Sequence, residues 1–259
     1  MNEKHARIYD LVNESTGETY KLNELNGYLS DLLGNVSGIG YTYNPTYQKV
    51  GNDFVLTENE LKQEPISGEV RFLGDRPYEK YQRFLKFIQG KELALMYRPS
   101  SVYYKKYGRV LVVAKSEPGA SGLKCSIKFY PRTQWLEEFS VSGTDMVVIE
   151  SDTALHSKCH IAITGEITTP VWVHTVNGVQ ETTGAISGSI ASGETLHIRT
   201  DNVPYRLYKT NAQGVETNIY AQSDFSTERF VTIEPGTNVI SCLGATGITI
   251  TGYFEHEAV

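Results

Sequence analysis

The order of apolar and polar residues between Gly68 and Trp135 admits one helix followed by paired strands and little else. Asp75 is placed to cap a helix start, and Pro77 falls in the first turn, where its missing N–H costs nothing. Tyr78, Tyr81, Phe84, Leu85 and Ile88 recur at steps of three and four, which predicts a single apolar stripe. Glu79, Lys80, Gln82, Arg83 and Lys86 fill the other side, Phe87 lies off the stripe as a second contact, and Gly90 ends the helix. Three strand-like phrases follow, KELALMY, GRVLVVAK and GLKCSIKFY. In the last, Leu123, Cys125, Ile127 and Phe129 alternate with Lys124, Ser126 and Lys128, as in a sheet with one wet face.

Upstream, IYDLVNESTGETYKL reads as a hairpin, two extended pieces around a Ser-Thr-Gly-Glu turn. Leu22 to Leu33 fits a short helix or an irregular packed loop, Gly34 to Gly51 reads as loop, and Val50 to Ile66 fits a strand or a long loop. Residues 136–157 read as a polar connector broken by one apolar patch, Met146 to Ile149. Beyond it nearly everything is β. Cys159, Ile161 and Ile163 alternate with polar or small residues, and Val171, Val173 and Val176 lead into Asn177-Gly178, a strong hairpin signal. Short strands at Leu196–Ile198, Tyr205–Tyr208, Phe230–Ile233, Asn238–Cys242 and Ile248–Tyr253, separated by turn residues, predict a β-sandwich. The expected organisation is therefore mainly β: a β-rich domain with one amphipathic helix over 1–135, a connector over 136–157, and a sandwich over 158–259.

Charge divides at the same place. Residues 1–135 hold 19 basic and 15 acidic residues, a net +4, and residues 136–259 hold 5 and 15, a net −10. The acidic half repels nucleic acid, and +4 spread over 135 residues makes no phosphate-binding stripe, so specific nucleic-acid binding is not expected. The N-terminus, MNEKHARIYD, has no apolar signal-peptide core, and the longest aliphatic run, Val110 to Ala114, is far too short to span a bilayer. These features predict a chain made in a cytoplasm, without membrane insertion. Cys125, Cys159 and Cys242 give no even disulfide framework and read as buried thiols. Seventeen tyrosines suit protein contacts, although tyrosine is also an ordinary strand residue.

The ordered phrases carry a resemblance. A Y-x-x-Y-x-x-F helix (Tyr78, Tyr81, Phe84) is followed by L-x-Y (Leu95 to Tyr97), Y-x-R (Tyr107 to Arg109) and L-x-C-x-I-x-F ending near a tryptophan (Leu123 to Trp135). With I-S-G-E-V-R-F upstream (Ile66 to Phe72) and D-F-S-T-E-R-F-V-T-I-E-P-G-T-N-V-I downstream (Asp224 to Ile240), the chain resembles the distal tail proteins of long-tailed phages of Gram-positive hosts. The resemblance implies a first domain that builds a homohexameric ring and a second, galectin-like sandwich hanging outward from it. It further implies a structural virion protein at the tail tip, a hub between the tail tube and the tip or baseplate, with a channel for DNA. Its partners would be its own copies, the tail-tube protein, a tail-tip or tail-associated protein, and receptor-binding proteins. The chain has no room for the long arm-like insertions by which some relatives contact receptor-binding proteins or sugars, which argues against direct host binding. The strands near Leu93–Tyr97, Arg109–Lys115 and Leu123–Phe129 are the ring-building candidates, and the sequence does not say which of them are edges.

Enzyme chemistry finds no constellation in the sequence, and no catalytic residue, cofactor or metal is expected. His156, Cys159 and His160 form H-x-x-C-H, but a closed zinc site needs about four ligands and no second pair stands at matching spacing. Glu137–Glu138 and Glu150/Asp152 are the nearest acid pairs for glycosidase chemistry, and both sit in the polar segment, where nothing raises one pKa against the other. There is no G-x-S-x-G and no P-loop; Gly38-Ile39-Gly40 is half of a dinucleotide fingerprint and reads as a tight turn. The alternative is a carbohydrate-binding, lectin-like module. Trp172, His174, His197 and Arg199, with Asn202 nearby, supply the aromatic face and fixed polar groups that a sugar site needs. The galectin motif H-x-N-x-R is not intact, since the chain reads His197-Ile198-Arg199-Thr200-Asp201.

Overall fold

The computed structural model describes residues 7–22, 31–40, 42–62, 64–116 and 123–259. The chain divides into two compact units, Met1–Leu136 with Glu257–Val259, and Glu137–His256. Among the described residues no helix is long and apolar enough to cross a membrane.

In the first unit, β1 (Ile8–Asn13) and β2 (Glu18–Lys21) form the expected hairpin. Next come β3 (Asp31–Ser37), β4 (Thr42–Val50), β5 (Asp53–Lys62) and β6 (Ile66–Phe72), then α1 (Pro77–Ile88), β7 (Leu93–Arg98), β8 (Tyr104–Ser116) and β9 (Leu123–Pro131). Leu22 to Leu33 lies mostly outside the described residues, and its last part opens β3. The glycine- and tyrosine-rich segment expected as loop from Gly34 to Gly51 is instead strand along most of its length.

β8 organises this unit, because its first half is hydrogen-bonded to β7 and its second half to β9. The ladder then runs outward through β1 to β2 on one side and through β6 to β3 on the other. Gly108 sits where the two registers meet. A Cβ there would lie 2.2 Å from the Tyr130 carbonyl oxygen and 2.9 Å from the Phe129 ring, so the corner closes only on glycine. The three ring-building candidates are thus interior to the sheet: β7 lies between β1 and β8, β8 between β7 and β9, and β9 between β6 and β8.

α1 covers the core formed by Leu11, Val70, Phe72, Leu93, Cys125, Phe129 and Trp135. Its buried residues are Tyr81, Phe84, Phe87 and Ile88, while Tyr78 is exposed, so the stripe sits further toward the C-terminal end than expected and includes Phe87. Pro77 does open the helix, but the residue before it is Arg76 in a left-handed conformation with no side-chain cap; Asp75 does not cap. Trp135 is fully buried and donates its indole N–H to the Ile39 carbonyl at 2.9 Å.

The second unit contains most of β10 (Trp135–Gly143), then β11 (Met146–Ser151), β12 (Ser157–Thr164), β13 (Ile167–Thr168), β14 (Val171–Val176), β15 (Val179–Ala185), β16 (Ser189–Ile190), β17 (Thr195–Arg199), β18 (Arg206–Thr210), β19 (Glu216–Asn218), β20 (Thr232–Ile233), β21 (Gly236–Cys242) and β22 (Gly247–His256). One sheet runs β19-β18-β17-β12-β22-β10, the other β11-β21-β14-β15, with Asn177-Gly178 turning β14 into β15 as expected. Side chains from both sheets, among them Ile161, Ile163, Trp172, Leu196, Ile240 and Ile250, share one core. The segment expected as a connector over 136–157 is largely strand. Along β11, Val147, Ile149 and Ser151 are buried and Met146, Val148 and Glu150 exposed, so Glu150 marks a wet face rather than a linker.

Lys106 is the costly residue of the first core. It is 3% exposed, and its Nζ lies 5.1 Å from the centre of the Trp135 ring. Burial pulls its amine down from 10.5 to about 8. Between those values the unfolded chain binds more protons than the folded one, so this group makes stability rise with pH across that window. Lys106→Met keeps the apolar stem and removes the charge. Denaturant midpoints are expected to show the variant more stable than the native chain at neutral pH, with the gap closing as pH rises from about 8 to 10.5.

Candidate assembly surface and expected sugar site

The first unit carries a ribbon that belongs to no core. Among the described residues β4 and β5 pair only with each other, in register Val50↔Asp53, Lys49↔Phe54 and Tyr47↔Leu56. They are joined by Gly51-Asn52, a two-residue loop of the kind hairpins favour. Every residue of β4 is exposed. Residues directly opposite in an antiparallel pair share a face, and alternate residues along a strand lie on opposite faces. Tyr43, Pro45, Tyr47, Phe54 and Leu56 therefore line one face, with Lys49 at its tip. Asn44, Thr46, Gln48, Asp53, Glu58 and Glu60 lie on the other, beside Val50 and Val55. Phe54 is 69% exposed, Tyr47 57% and Leu56 49%. A two-stranded hairpin alone in water is marginal, and an apolar face of this kind marks a surface that another body covers.

The sequence held the signal for this ribbon, a Gly-Asn dipeptide flanked by alternating Tyr43/Pro45/Tyr47 and Phe54/Leu56. The density of glycine, tyrosine and asparagine before it reads as loop and hides the alternation.

The expected sugar residues do not converge. Trp172, on β14, is 0% exposed and donates its indole N–H to the Arg229 carbonyl at 3.0 Å. Its ring fills the space beside Gly184 on β15, where a Cβ would lie 2.1 Å from it. His174 is also buried, with Nε2 3.0 Å from Asn238 Oδ1. Neither offers a surface to a sugar in water. Both are core residues of the β14 sheet, which corrects the expectation of a Trp172–His174 binding face. His197 and Arg199 lie on β17, in the other sheet.

His197 sits in a chain of side chains that runs across β12, β17 and β18. Its Nδ1 is 2.9 Å from His160 Nε2, its Nε2 is 2.8 Å from Thr210 Oγ1, and its ring stacks on Tyr208 at 4.7 Å between centres. Arg199 donates two hydrogen bonds to the Asp201 carboxylate, at 2.9 and 2.7 Å, which hold it protonated. Burial, and then the neighbouring His160, push His197 from 6.5 down to about 4.

The remaining clusters are dispersed. Cys159 is buried and donates to the Val231 carbonyl, His160 faces outward, and His156 pairs with Glu234. Among the described residues no group of three or more His, Cys, Asp or Glu side chains could hold a metal ion. Glu137 is held by His256 at 2.9 Å, and Glu150 accepts from the Thr237 hydroxyl at 2.8 Å.

Comparison with known proteins finds a family model that matches the first unit. The family model "Distal tail protein, N-terminal domain" matches residues 8–132. The first unit is similar to the distal tail N-terminal domain. That match runs from β1 through β9 and includes both the ribbon and α1. No curated protein sequence matches. Among solved structures, the chain is similar to one from the phage P2 baseplate in its activated conformation with Ca, with a TM-score of 0.64 and 14% identity, covering 98% of this chain and 100% of that one. The same baseplate with Sr gives a TM-score of 0.64 at 14% identity, with the same coverage. SPP1 Dit (gp 19.1), described as a paradigm of the hub adsorption apparatus in phages infecting Gram-positive hosts, gives 0.67 at 13% identity, covering 95% of this chain and 99% of that one. The chain thus shares a fold with these structures over nearly their full length.

Two outcomes follow for the second unit. Trp172→Ala is expected to lose about 3–5 kcal/mol of stability by denaturant melts, so lost ligand binding in that variant would report unfolding. For His197, the unfolded chain binds more protons than the folded one between about 4 and 6.5. Stability therefore falls as pH drops through that window, and His197→Gln is expected to flatten the fall in urea midpoint.

Proposed function

We propose that the chain is a structural hub of a phage tail tip. Copies of its distal tail domain close into a homohexameric ring between the tail tube and the tip or baseplate, with a central channel for DNA. The observation that carries this reading is the amphipathic ribbon of β4 and β5, whose face bearing Tyr47, Phe54 and Leu56 stands exposed within a unit matched by the distal tail family model. A ribbon offered by each copy to a different surface on the next is a heterologous contact, which builds a closed ring where its rotation closes. The two solved baseplate and hub structures, similar over nearly their whole length, support the same placement.

In this reading the protein is made in the host cytoplasm and resides in the virion. Its partners are its own copies, a tail-tube protein and a tail-tip or tail-associated protein; receptor-binding proteins are further candidates. The second unit is assigned a galectin-like sandwich. It serves as a structural body, because the residues nominated for a sugar face are divided between the core and the opposite sheet. The chain performs no catalysis in this role.

The test is the solution mass of the purified full-length chain by light scattering, with negative-stain images of the same fraction. A species at six times the chain mass, seen as a ring with a central opening, is expected. A monomer at every concentration, persisting with a tail-tube protein added, overturns the reading. Phe54→Asp combined with Leu56→Asp is expected to abolish the ring. Both side chains stand outside the core, so folding stability should stay within about 0.5 kcal/mol of the native chain.

A further inference from the structure

The hub reading makes no use of Asn177-Gly178, the loop that joins β14 to β15. Only these residues separate the Val176↔Val179 pair, and both have positive φ, 50° and 82°. A hairpin loop this short demands such angles, and asparagine and glycine tolerate them best. In its sheet β14 lies between β15 and β21. The main chain leaves Asn177 toward β15, while its side chain reaches the other way, to β21. There Thr237 donates its backbone N–H to Asn177 Oδ1 at 3.0 Å, and Asn177 donates its own N–H to the Thr237 carbonyl at 2.8 Å. The side-chain oxygen thus takes the acceptor position that the Asn177 carbonyl would fill if the strand ran on. Gly236 makes room for it, since a Cβ there would lie 2.5 Å from Asn177 Oδ1 and 2.8 Å from Nδ2.

Asparagine followed by glycine is also the pair that loses its amide most readily, because glycine puts no side chain beside its own nitrogen. Hydroxide takes the proton of the Gly178 N–H, and that nitrogen attacks Asn177 Cγ. The new C–N bond closes a five-membered imide and the Cγ–Nδ2 bond breaks. Ammonia leaves with a proton taken from water, which restores the hydroxide. Water then opens the imide at either carbonyl, giving aspartate or isoaspartate.

We propose that Asn177 is a site of spontaneous deamidation held in check by the Thr237 clamp, with opening of this end of the β14–β21 ladder setting the rate. While Thr237 holds Oδ1 toward β21, Cγ is kept off the path of the Gly178 nitrogen. The imide closes only when that hydrogen bond breaks and the turn reshapes. The end of a ladder opens without unfolding the rest of the sheet. Either product adds a negative charge to a half of the chain that already carries net −10. Isoaspartate also lengthens the main chain of the loop, which breaks the Val176↔Val179 register and loosens β15 at the edge of its sheet. The chemistry stands apart from the hub reading; in a particle whose proteins are not replaced it accumulates with age.

The test follows the full-length chain at mildly alkaline pH by peptide mass spectrometry, with isoaspartate resolved from aspartate. Peptide mapping separates Asn177 from Asn26-Gly27, the chain's other such pair. In guanidinium above the unfolding midpoint, Asn177 is expected to react fast and to give both products. In the folded chain it is expected to react at least about tenfold more slowly, as a site that needs local opening does. Gly236→Ala sets a Cβ against Asn177 Oδ1 and is expected to recover most of that factor while denaturant melts show it folded. Guanidinium well below the midpoint is expected to leave the native rate unchanged, because opening one turn exposes little surface. Equal rates in folded and denatured chain, or a folded Gly236→Ala that reacts at the native rate, overturn the clamp. A native rate that climbs in step with the unfolded fraction overturns control by the ladder end. Aspartate without isoaspartate overturns the imide route. If Gly236→Ala does not fold, the comparison of folded with denatured native chain and the guanidinium series decide.

Discussion

Because β8 is hydrogen-bonded to β7 before Gly108 and to β9 beyond it, one thirteen-residue strand serves both halves of the first unit. The corner leaves no room for a side chain at Gly108, since the Tyr130 carbonyl and the Phe129 ring occupy the place a Cβ would take. Phe129 in turn belongs to the core that α1 covers with Phe84, Phe87 and Ile88. The same strand, two residues past the corner, supplies the bulge that turns Val110 and Val113 toward α1. The corner, the core and the bulge are thus consequences of one strand changing partners. A larger residue at the corner would disturb all three at once.

The elements legible in the sequence are those whose period is carried by strong residues. α1 is readable because Tyr81, Phe84 and Ile88 recur at helical spacing, and β9 because lysines alternate with Leu123, Cys125 and Ile127. The N-terminal half of the stripe misleads, since Tyr78 has the right spacing but lies at the start of the helix, exposed, while Phe87 is needed to fill the core. The ribbon and β11 were less legible for a common reason. In both, composition suggests loop or linker, while the period of two is intact underneath: Tyr43, Pro45 and Tyr47 in one, Val147, Ile149 and Ser151 in the other. Period specifies local geometry more directly than composition does.

The second unit shows what period cannot specify. In VWVHTV the alternation is plain, yet it gives two faces without saying which is wet. Val171 is exposed, and Trp172, His174 and Val176 are buried, the inverse of a lectin platform. The inward histidine is tolerated because Asn238, itself fully buried, meets its ring nitrogen and donates its own amide to the Glu234 and Gly236 carbonyls. A buried polar group with its partner in place costs little, whereas an unpaired one would destabilise the core. That partner stands 64 residues away in sequence and is supplied only by tertiary structure.

The ribbon's own edges bear on how it meets a partner. A strand ladder offered to a neighbour needs free N–H groups along a flat edge. In β4 the edge is interrupted by Pro45, which has no N–H to give, and the ladder is bulged between Thr46 and Tyr47. β5 carries Asp53, Glu58 and Glu60, charges that discourage indiscriminate pairing. The edges are therefore poor templates for strand addition, while the face bearing Tyr47, Phe54 and Leu56 is apolar and open. An element built this way avoids open-ended aggregation through its backbone and offers its side chains instead. A contact made by side chains also sets a rotation between neighbours. A closed ring requires such a fixed rotation, whereas a loosely set contact would let the chain grow into an open helix.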